Sequence, residues 1–552
     1  MNLIGNINAI PFRRFRGGGG VAPFPSIPGM IARYSALGLT NEQMATNPVW
    51  VNKTGNGHDL QLKNFAWGGM SGVGGYEMNF NLWTNNVPSI PDISMSTTTT
   101  SVSVSVGNST YNNNLIYIHM NNWDINKNHW LKVTSTYEDG DLVFKFYNDN
   151  NSKNIELPAN GYVNIPAYPE FKGNYMYILT TSNKQGSFTI EQLPLYPGAL
   201  VFDGVDDCGV CDNFPILTKE KGYTVVALRQ WDQDFLNTTL TGGLLSTRNY
   251  STGEGVAFEK IESSNKGYWN LGAGGIIDFA KSPFTWQTSK QYNNVGILKG
   301  NKNHGKPLCV GCGLSGGQQC GRFAIWELVF LDHDATEEEL TKIKDYFVKT
   351  YPWLFFDQAW TVTGKTNEDE DRATIANITG NGNNLVLSNF GFIEGSGYNK
   401  EGEYAGYLVT DGVDDKIISS IFKMGNDWTV IGDWELINTG KNDNAGIVKF
   451  DSIVIYNYNS MLINIKNGRN ILIPDQNTVN AICSDGRIYS KDWKESIYNE
   501  ETESTSKNFL TIGYSGNAYT KIAFKNLAIY PTVLSREDCI KAYNYLQTLK
   551  AK

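Results

Sequence analysis

YPGALVFDGVDD (Tyr196–Asp207) and YAGYLVTDGVDD (Tyr404–Asp415) are one phrase written twice, 208 residues apart and identical at 9 of 12 positions. In each, an apolar pair (Leu200 and Val201; Leu408 and Val409) runs into Asp-Gly, and a second pair of aspartates follows. Asp-Gly punctuates strands because glycine accepts backbone conformations closed to other residues and the aspartate side chain bonds its own turn. The phrase therefore reads strand, turn, strand. Its repetition points to a duplicated β-rich unit.

The repeat extends in both directions. TGNGHDLQLKNFAW (Thr54–Trp67) matches TGNGNNLVLSNFGF (Thr379–Phe392) at 8 of 14 positions. GYTVVALRQW from Gly222 answers DWTVIGDWEL from Asp427, and LCVGCG from Leu308 answers LTIGYS from Leu510. Upstream of the DGVDD phrase the copies lie 325 residues apart, and at the phrase 208, so the first copy carries an insertion of 117 residues between Tyr76 and Tyr196. The second copy crosses that gap with NKEGE (Asn399–Glu403). An insertion of that size is a domain in itself. Its runs TSVSVSVG, LIYIHM, WLKVTSTY, LVFKFYN and YMYILTT alternate or run apolar between Asn, Gly and Pro, which predicts a small β-sandwich over 77–195.

Both copies end in one helical signal. Thr336 and Glu339 form a capping box ahead of Leu340, Ile343, Tyr346 and Phe347 at helical spacing. Ser535 and Asp538 repeat the cap ahead of Ile540, Tyr543 and Leu546. The expected architecture is all-β: two sandwiches (31–350 and 351–552), the first interrupted by 77–195, each closed by a short C-terminal helix.

Composition bounds the partners. The 552-residue chain has a net charge of −9, so no overall field draws nucleic acid. No run approaches the 18 or so apolar residues of a membrane span. The N-terminal stretch lacks the pattern of a secretory signal, which implies folding in a reducing cytoplasm. Seven cysteines, an odd number, imply no disulfide framework. Residues 1–30 read as an arm, with four glycines at Gly17–Gly20 and a +3 cluster of Arg13, Arg14 and Arg16 between Phe12 and Phe15. Such a segment cannot fold alone but can dock elsewhere.

Catalytic signatures fail. GLSGG (Gly313–Gly317) matches a nucleophile elbow in spelling, yet no helix follows it. The acidic TNEDEDRA (Thr366–Ala373) lies outside any strand pattern that would set two carboxylates across a sugar. Two binding constellations stand. Asp203, Asp206 and Asp207, with Asp411, Asp414 and Asp415, are either structural turns or a site for Ca²⁺ or sugar hydroxyls. Cys208-x₂-Cys211 and Cys309-x₂-Cys312 could form a Cys₄ zinc site with Cys320 as a spare, or be buried thiols. No other cofactor is indicated.

The order TGNGxxLxLxNF, DGVDD and closing helix resembles the concanavalin A-like/laminin-G-like jelly roll, over 31–76, 196–350 and 353–552. The wording TGNGHDLQLKNFAWGG is similar to repeats in virion proteins of crAss-like phages of Bacteroidales. That resemblance implies a non-enzymatic structural protein of the virion, a head fibre or decoration. Phe12, Arg13, Arg14, Phe15 and Arg16 would anchor it to the capsid. It further implies a homo-oligomer, a trimer before a dimer, whose displayed lectin-like domains could meet gut glycans. A tail fibre or receptor-binding protein, or a carbohydrate-binding module or glycosidase, is the alternative.

Overall fold

The computed structural model describes most of residues 23–551. The longer stretches outside the description are 86–92, 108–114, 248–256, 270–275, 279–285, 289–306, 438–444 and 498–509; others of one to five residues occur elsewhere. Phe12, Arg13, Arg14, Phe15 and Arg16 lie outside the described residues.

The chain is all-β, and its two halves share one strand order. In the first, a sheet runs Gly72–Val73, Leu200–Asp203, Arg322–Leu331, Thr224–Trp231, with Met30–Ser35 also pairing to Arg322–Leu331. In the second, the corresponding order is Gly397–Tyr398, Leu408–Val409, Ile522–Tyr530, Thr429–Leu436, with Gln358–Thr361 on Ile522–Tyr530. The facing sheets agree as well. Val49–Trp50, Leu60–Lys63, Cys208–Cys211, Leu308–Val310 and Gly242–Ser246 match Thr374–Ile375, Leu385–Ser388, Lys416–Ser419, Leu510–Ile512 and Ala445–Phe450. Even the irregularities repeat: bulges fall at Leu228/Arg229 and Asp433/Trp434, and at Gly243/Leu245 and Gly446/Val448. A bulge re-aims every residue after it, so shared bulges mark shared architecture more firmly than shared strands do.

Alternation builds each core. Leu60 and Leu62 face inward in a strand whose Gln61 and Lys63 are exposed, and Leu385 and Leu387 repeat this beside exposed Val386. Strands Thr224–Trp231 and Arg322–Leu331 are buried on nearly every residue because a second layer covers their outer face. Residues 93–192 form two further sheets, ordered Asn160–Ile165, His129–Ser135, Gly186–Gln192, Ser101–Val106, Ile93–Thr97 and Asn151–Leu157, Leu142–Asn148, Tyr175–Thr180, Leu115–Ile116. Between them lies a separate core of Val102, Leu131, Phe144, Ile178 and Phe188.

The second layer is the pair of closing helices. Glu337–Thr350 starts with the complete Thr336–Glu339 capping box and buries only Leu340, Ile343, Tyr346 and Phe347, a single stripe. Arg536–Gln547 is capped by Ser535 and buries Cys539, Ile540, Ala542, Tyr543, Asn544, Tyr545 and Leu546, nearly its whole circumference. Three bodies press on it. Trp130 of the insert meets Tyr543 edge-on at 5.2 Å, Trp493 of the second sandwich meets the same ring at 5.6 Å, and Trp326 of the first sandwich meets Tyr545 at 6.0 Å. Tyr162 of the insert lies under Arg536 at 5.7 Å. Replacing Trp130 by alanine removes the insert's edge-on contact with Tyr543, a loss of about 2–4 kcal/mol of docking. Hydrogen exchange should then rise along Arg536–Gln547 while His129–Ser135 stays protected. Unchanged exchange in the helix would show that Trp130 does not hold the insert there.

Residues 23–30 are not a free arm. Ile27 is buried in the layer under the first helix, and Phe24 packs on Tyr346 at 4.8 Å and beneath Arg33 at 4.2 Å. The aromatic content of this stretch is spent on the chain's own first sandwich.

Candidate functional site

Each DGVDD phrase forms one corner, built in the same way twice. Asp203 Oδ1 accepts from Val205 N at 2.8 Å, and Asp207 Oδ2 accepts from Asp203 N at 2.9 Å. Asp411 Oδ1 accepts from Val413 N at 2.7 Å, and Asp415 Oδ2 from Asp411 N at 2.8 Å. Gly204 and Gly412 sit at φ +79° and +77°, and a Cβ on Gly204 would meet Arg322 Cβ at 2.8 Å, so only glycine fits the first corner.

The TGNG-phrase loop closes each corner from the side. Asn64 donates to Asp206 O and Asn389 to Asp414 O, both at 3.0 Å. Ser71 Oγ donates to Asp207 Oδ1 at 2.9 Å while accepting from Ala66 N at 2.8 Å. Ser396 holds the same place, accepting from Gly391 N at 2.9 Å, but Asp415 Oδ1, unlike Asp207 Oδ1, has no hydrogen-bond partner among the described residues. Asn41 brackets Val73 through both its N–H and its C=O, and Asn367 brackets Tyr398 likewise. These asparagines and serines carry the repeat as much as the aspartates do. No spacing rule attaches them to their turns, which lie 136 and 142 residues away for Ser71 and Asn64 but only 25 for Asn389.

The three carboxylates of each corner lie within 4.8 Å of one another. Asp207 and Asp415 are fully buried. Burial pushes Asp207 up to about 8 against the pull of the Asp203 N–H, and pushes Asp415 up to about 6. Both oxygens of Asp207 are engaged within the corner, and the carboxyl favours its protonated form. A hard cation needs ionised oxygens facing it; Asp203 and Asp411 turn one oxygen each to their own backbone, and Asp207 is held by the Asp203 N–H and the Ser71 hydroxyl, while Asp206 and Asp414 stay exposed. The acidic run Thr366–Ala373 is likewise a loop, with Asp369 capping Thr366 N at 2.9 Å and Glu368 reaching exposed Lys400 at 3.0 Å.

The cysteines are arranged otherwise than the set Cys208, Cys211, Cys309 and Cys312. Residues three apart on a strand point to opposite faces. Cys211 accordingly enters the core of the first sandwich beside Leu308 and Phe330, while Cys208 points away from it. Cys208, Cys309, Cys312 and Cys320 gather on that outer face. Cys312 and Cys320 are joined by a disulfide, where the odd cysteine count implied none. Cys208 and Cys309 are reduced, and a hydrogen bond from the Cys309 thiol lowers Cys208 to about 7 and pushes Cys309 up.

No family model matches the chain, and no curated protein matches it either. Among solved structures it is similar to a Trypanosoma rangeli sialidase in complex with sialic acid, at 8% identity over 83% of this chain and 85% of that one, with a TM-score of 0.23. It is also similar to the binding domain of botulinum neurotoxin serotype D, at 12% identity over 62% of this chain and 89% of that one, with a TM-score of 0.24. Likenesses this loose transfer neither a site nor an activity. Among the described residues, no helix is long and apolar enough to cross a membrane.

Proposed function

We propose that this chain is a structural protein of a phage particle, a head fibre or decoration that displays two lectin-like sandwiches and an inserted third. One observation supports this reading above others. The polar residues repeated in both copies, from Asn64 and Asn389 to Asp207 and Asp415, are consumed in holding corners together. Duplicated chemistry spent on architecture suits a protein whose task is to project a rigid surface. The seal of three bodies around Arg536–Gln547 serves the same end. Residues 1–22, with their arginines and phenylalanines, would supply the capsid anchor. Self-association as a trimer would multiply weak glycan contacts into useful avidity.

The test is a mass-spectrometric search of purified particles. The chain should appear at a fixed ratio to the major shell protein, and a variant lacking residues 1–22 should stay folded but fail to incorporate. Absence from particles would overturn the proposal, as would cleavage of a glycan by the purified chain. Silence of the multivalent protein on a glycan array would remove the glycan-contact part alone.

A further inference from the structure

We propose that Cys208, Cys309, Cys312 and Cys320 form a tetrathiolate site for a soft divalent cation, zinc by chemical preference, in the reduced chain. Cys211 is not a ligand. The set differs from what the Cys-x₂-Cys spacing suggests, and three observations lead to it.

The first is convergence. The four side chains come from two strand pairs of one sheet, Cys208–Cys211 with Leu308–Val310 and Cys312–Leu314 with Gln318–Cys320, set on either side of Gly242–Ser246, and they share a cluster with Val210 alone, apart from the sandwich core. Each is at most 5% exposed. Cys208 and Cys309 lie on adjacent strands paired through Val210↔Cys309, and their thiols hydrogen-bond. Cys312 and Cys320 face each other across a hairpin. Cys312 Sγ lies 3.3 Å from the carbonyl oxygen of Asp207, one residue before Cys208, so the two pairs adjoin.

The second is the backbone between Cys309 and Cys312. A separation of three would send them to opposite faces, as it does Cys208 and Cys211. Gly311, at φ +96°, breaks the alternation and returns Cys312 to the face of Cys309. A Cβ at Gly311 would stand 2.4 Å from the Phe202 ring and 2.7 Å from Asp207 O, so no other residue fits. A short C-x₂-C bend of this kind presents two sulfurs to one metal.

The third is the internal control supplied by the second copy. Tyr514↔Tyr519 occupies the register of Cys312↔Cys320, and the strand pairing places Lys416 and Thr511 where Cys208 and Cys309 stand. The fold forms there without a single thiol at these four places. Their joint presence in the first copy is therefore a property of the site and not of the sandwich.

The observed Cys312–Cys320 disulfide is the oxidised, metal-free form of the same centre. Two equivalents of a small thiol reductant carry two electrons and two protons to it, giving two cysteine thiols and the reductant's own disulfide. A divalent cation then replaces the four thiol protons and leaves four metal–sulfur bonds with a net charge of −2.

The experiment uses the full chain, kept reduced by a phosphine and stripped with a chelator, with Co²⁺ as the probe. One cobalt per chain should bind with the d–d and sulfur-to-metal absorption of a tetrahedral tetrathiolate, and Zn²⁺ should displace it. Cys309→Ser and Cys320→Ser should weaken cobalt binding on the order of 100-fold, whereas Cys211→Ser should bind as the wild type does. Should the serine variants fail to fold, alkylation of the wild type decides: zinc should shield Cys208, Cys309, Cys312 and Cys320 together and leave Cys211 as it was. Absence of the cobalt spectrum in the reduced chain would overturn the proposal. Equal binding by the disulfide form, or shielding of Cys211 with the others, would do so too.

Discussion

Replacing Arg33 by methionine is expected to destabilise the first sandwich by about 3–5 kcal/mol, because it strands a carboxylate in the dry layer beneath the first closing helix. Glu327 is completely buried. Arg33 grips it with both prongs, Nε to Oε2 at 3.0 Å and Nη2 to Oε1 at 2.9 Å, and Tyr351 Oη donates to Oε1 at 2.8 Å. The same Nη2 donates to Tyr346 Oη at 2.8 Å on the helix itself, so the pair ties strand, strand and helix together. Burial raises the Glu327 carboxyl, and Arg33 opposes that shift. In the second copy the strand pairing sets Ala359 and Asn526 in the corresponding places, so a neutral solution exists. The double replacement Arg33→Met with Glu327→Leu should therefore recover most of the loss. Denaturant unfolding followed by tryptophan fluorescence reads both. A single variant as stable as the wild type would mean that Arg33 holds nothing.

The second large effect is on pH dependence. Asp207 is raised from 3.8 to about 8 in the folded chain, chiefly by burial. Between those values the folded state keeps a proton that the unfolded state has released. Raising the pH therefore favours unfolding, at up to ~1.4 kcal/mol per pH unit for one group, and the slope vanishes above about pH 8. Asp415, raised to about 6, acts in the same sense over a narrower window. Asp207→Asn keeps the acceptor for Asp203 N and can donate to Ser71, so it should flatten the slope between pH 5 and pH 8 with little loss at pH 5. The readout is the denaturation midpoint of both proteins at several pH values. Stability that instead climbs with pH, and climbs further with millimolar calcium, would reveal ionised carboxylates gathered on a cation.

Much of the fold was legible in the sequence because the duplication let one half annotate the other. The offset between copies exposed the insertion, and the Thr336–Glu339 and Ser535–Asp538 signals located both helices. What escaped was set by packing. Nothing in the stripe Ile540, Tyr543, Leu546 says that Tyr545 on the other side also meets a tryptophan, from a sandwich two hundred residues upstream. Nor does Cys-x₂-Cys say which cysteine turns inward. That depends on whether the segment is a regular strand, as at Cys208–Cys211, or is bent by a glycine, as at Gly311. The glycine was visible in CVGCG, and strand periodicity applied to each pair would have separated Cys211 from the rest. The arm was misjudged at its inner end, where Phe24 is fastened by Arg33 and Tyr346 and Ile27 is buried in the core under the first helix, partners that local sequence cannot supply.

The helix on which three bodies converge also sets an order of events in the cell. Trp130 leaves the ribosome more than 400 residues before its partner Tyr543 is made. At elongation rates of about 5–20 residues per second, that wait is on the order of 20–80 s. For that time the insert holds an aromatic face with nothing to cover it. The nascent chain is therefore most vulnerable to misassociation with its neighbours late in translation, and a holding chaperone would earn its keep in that interval.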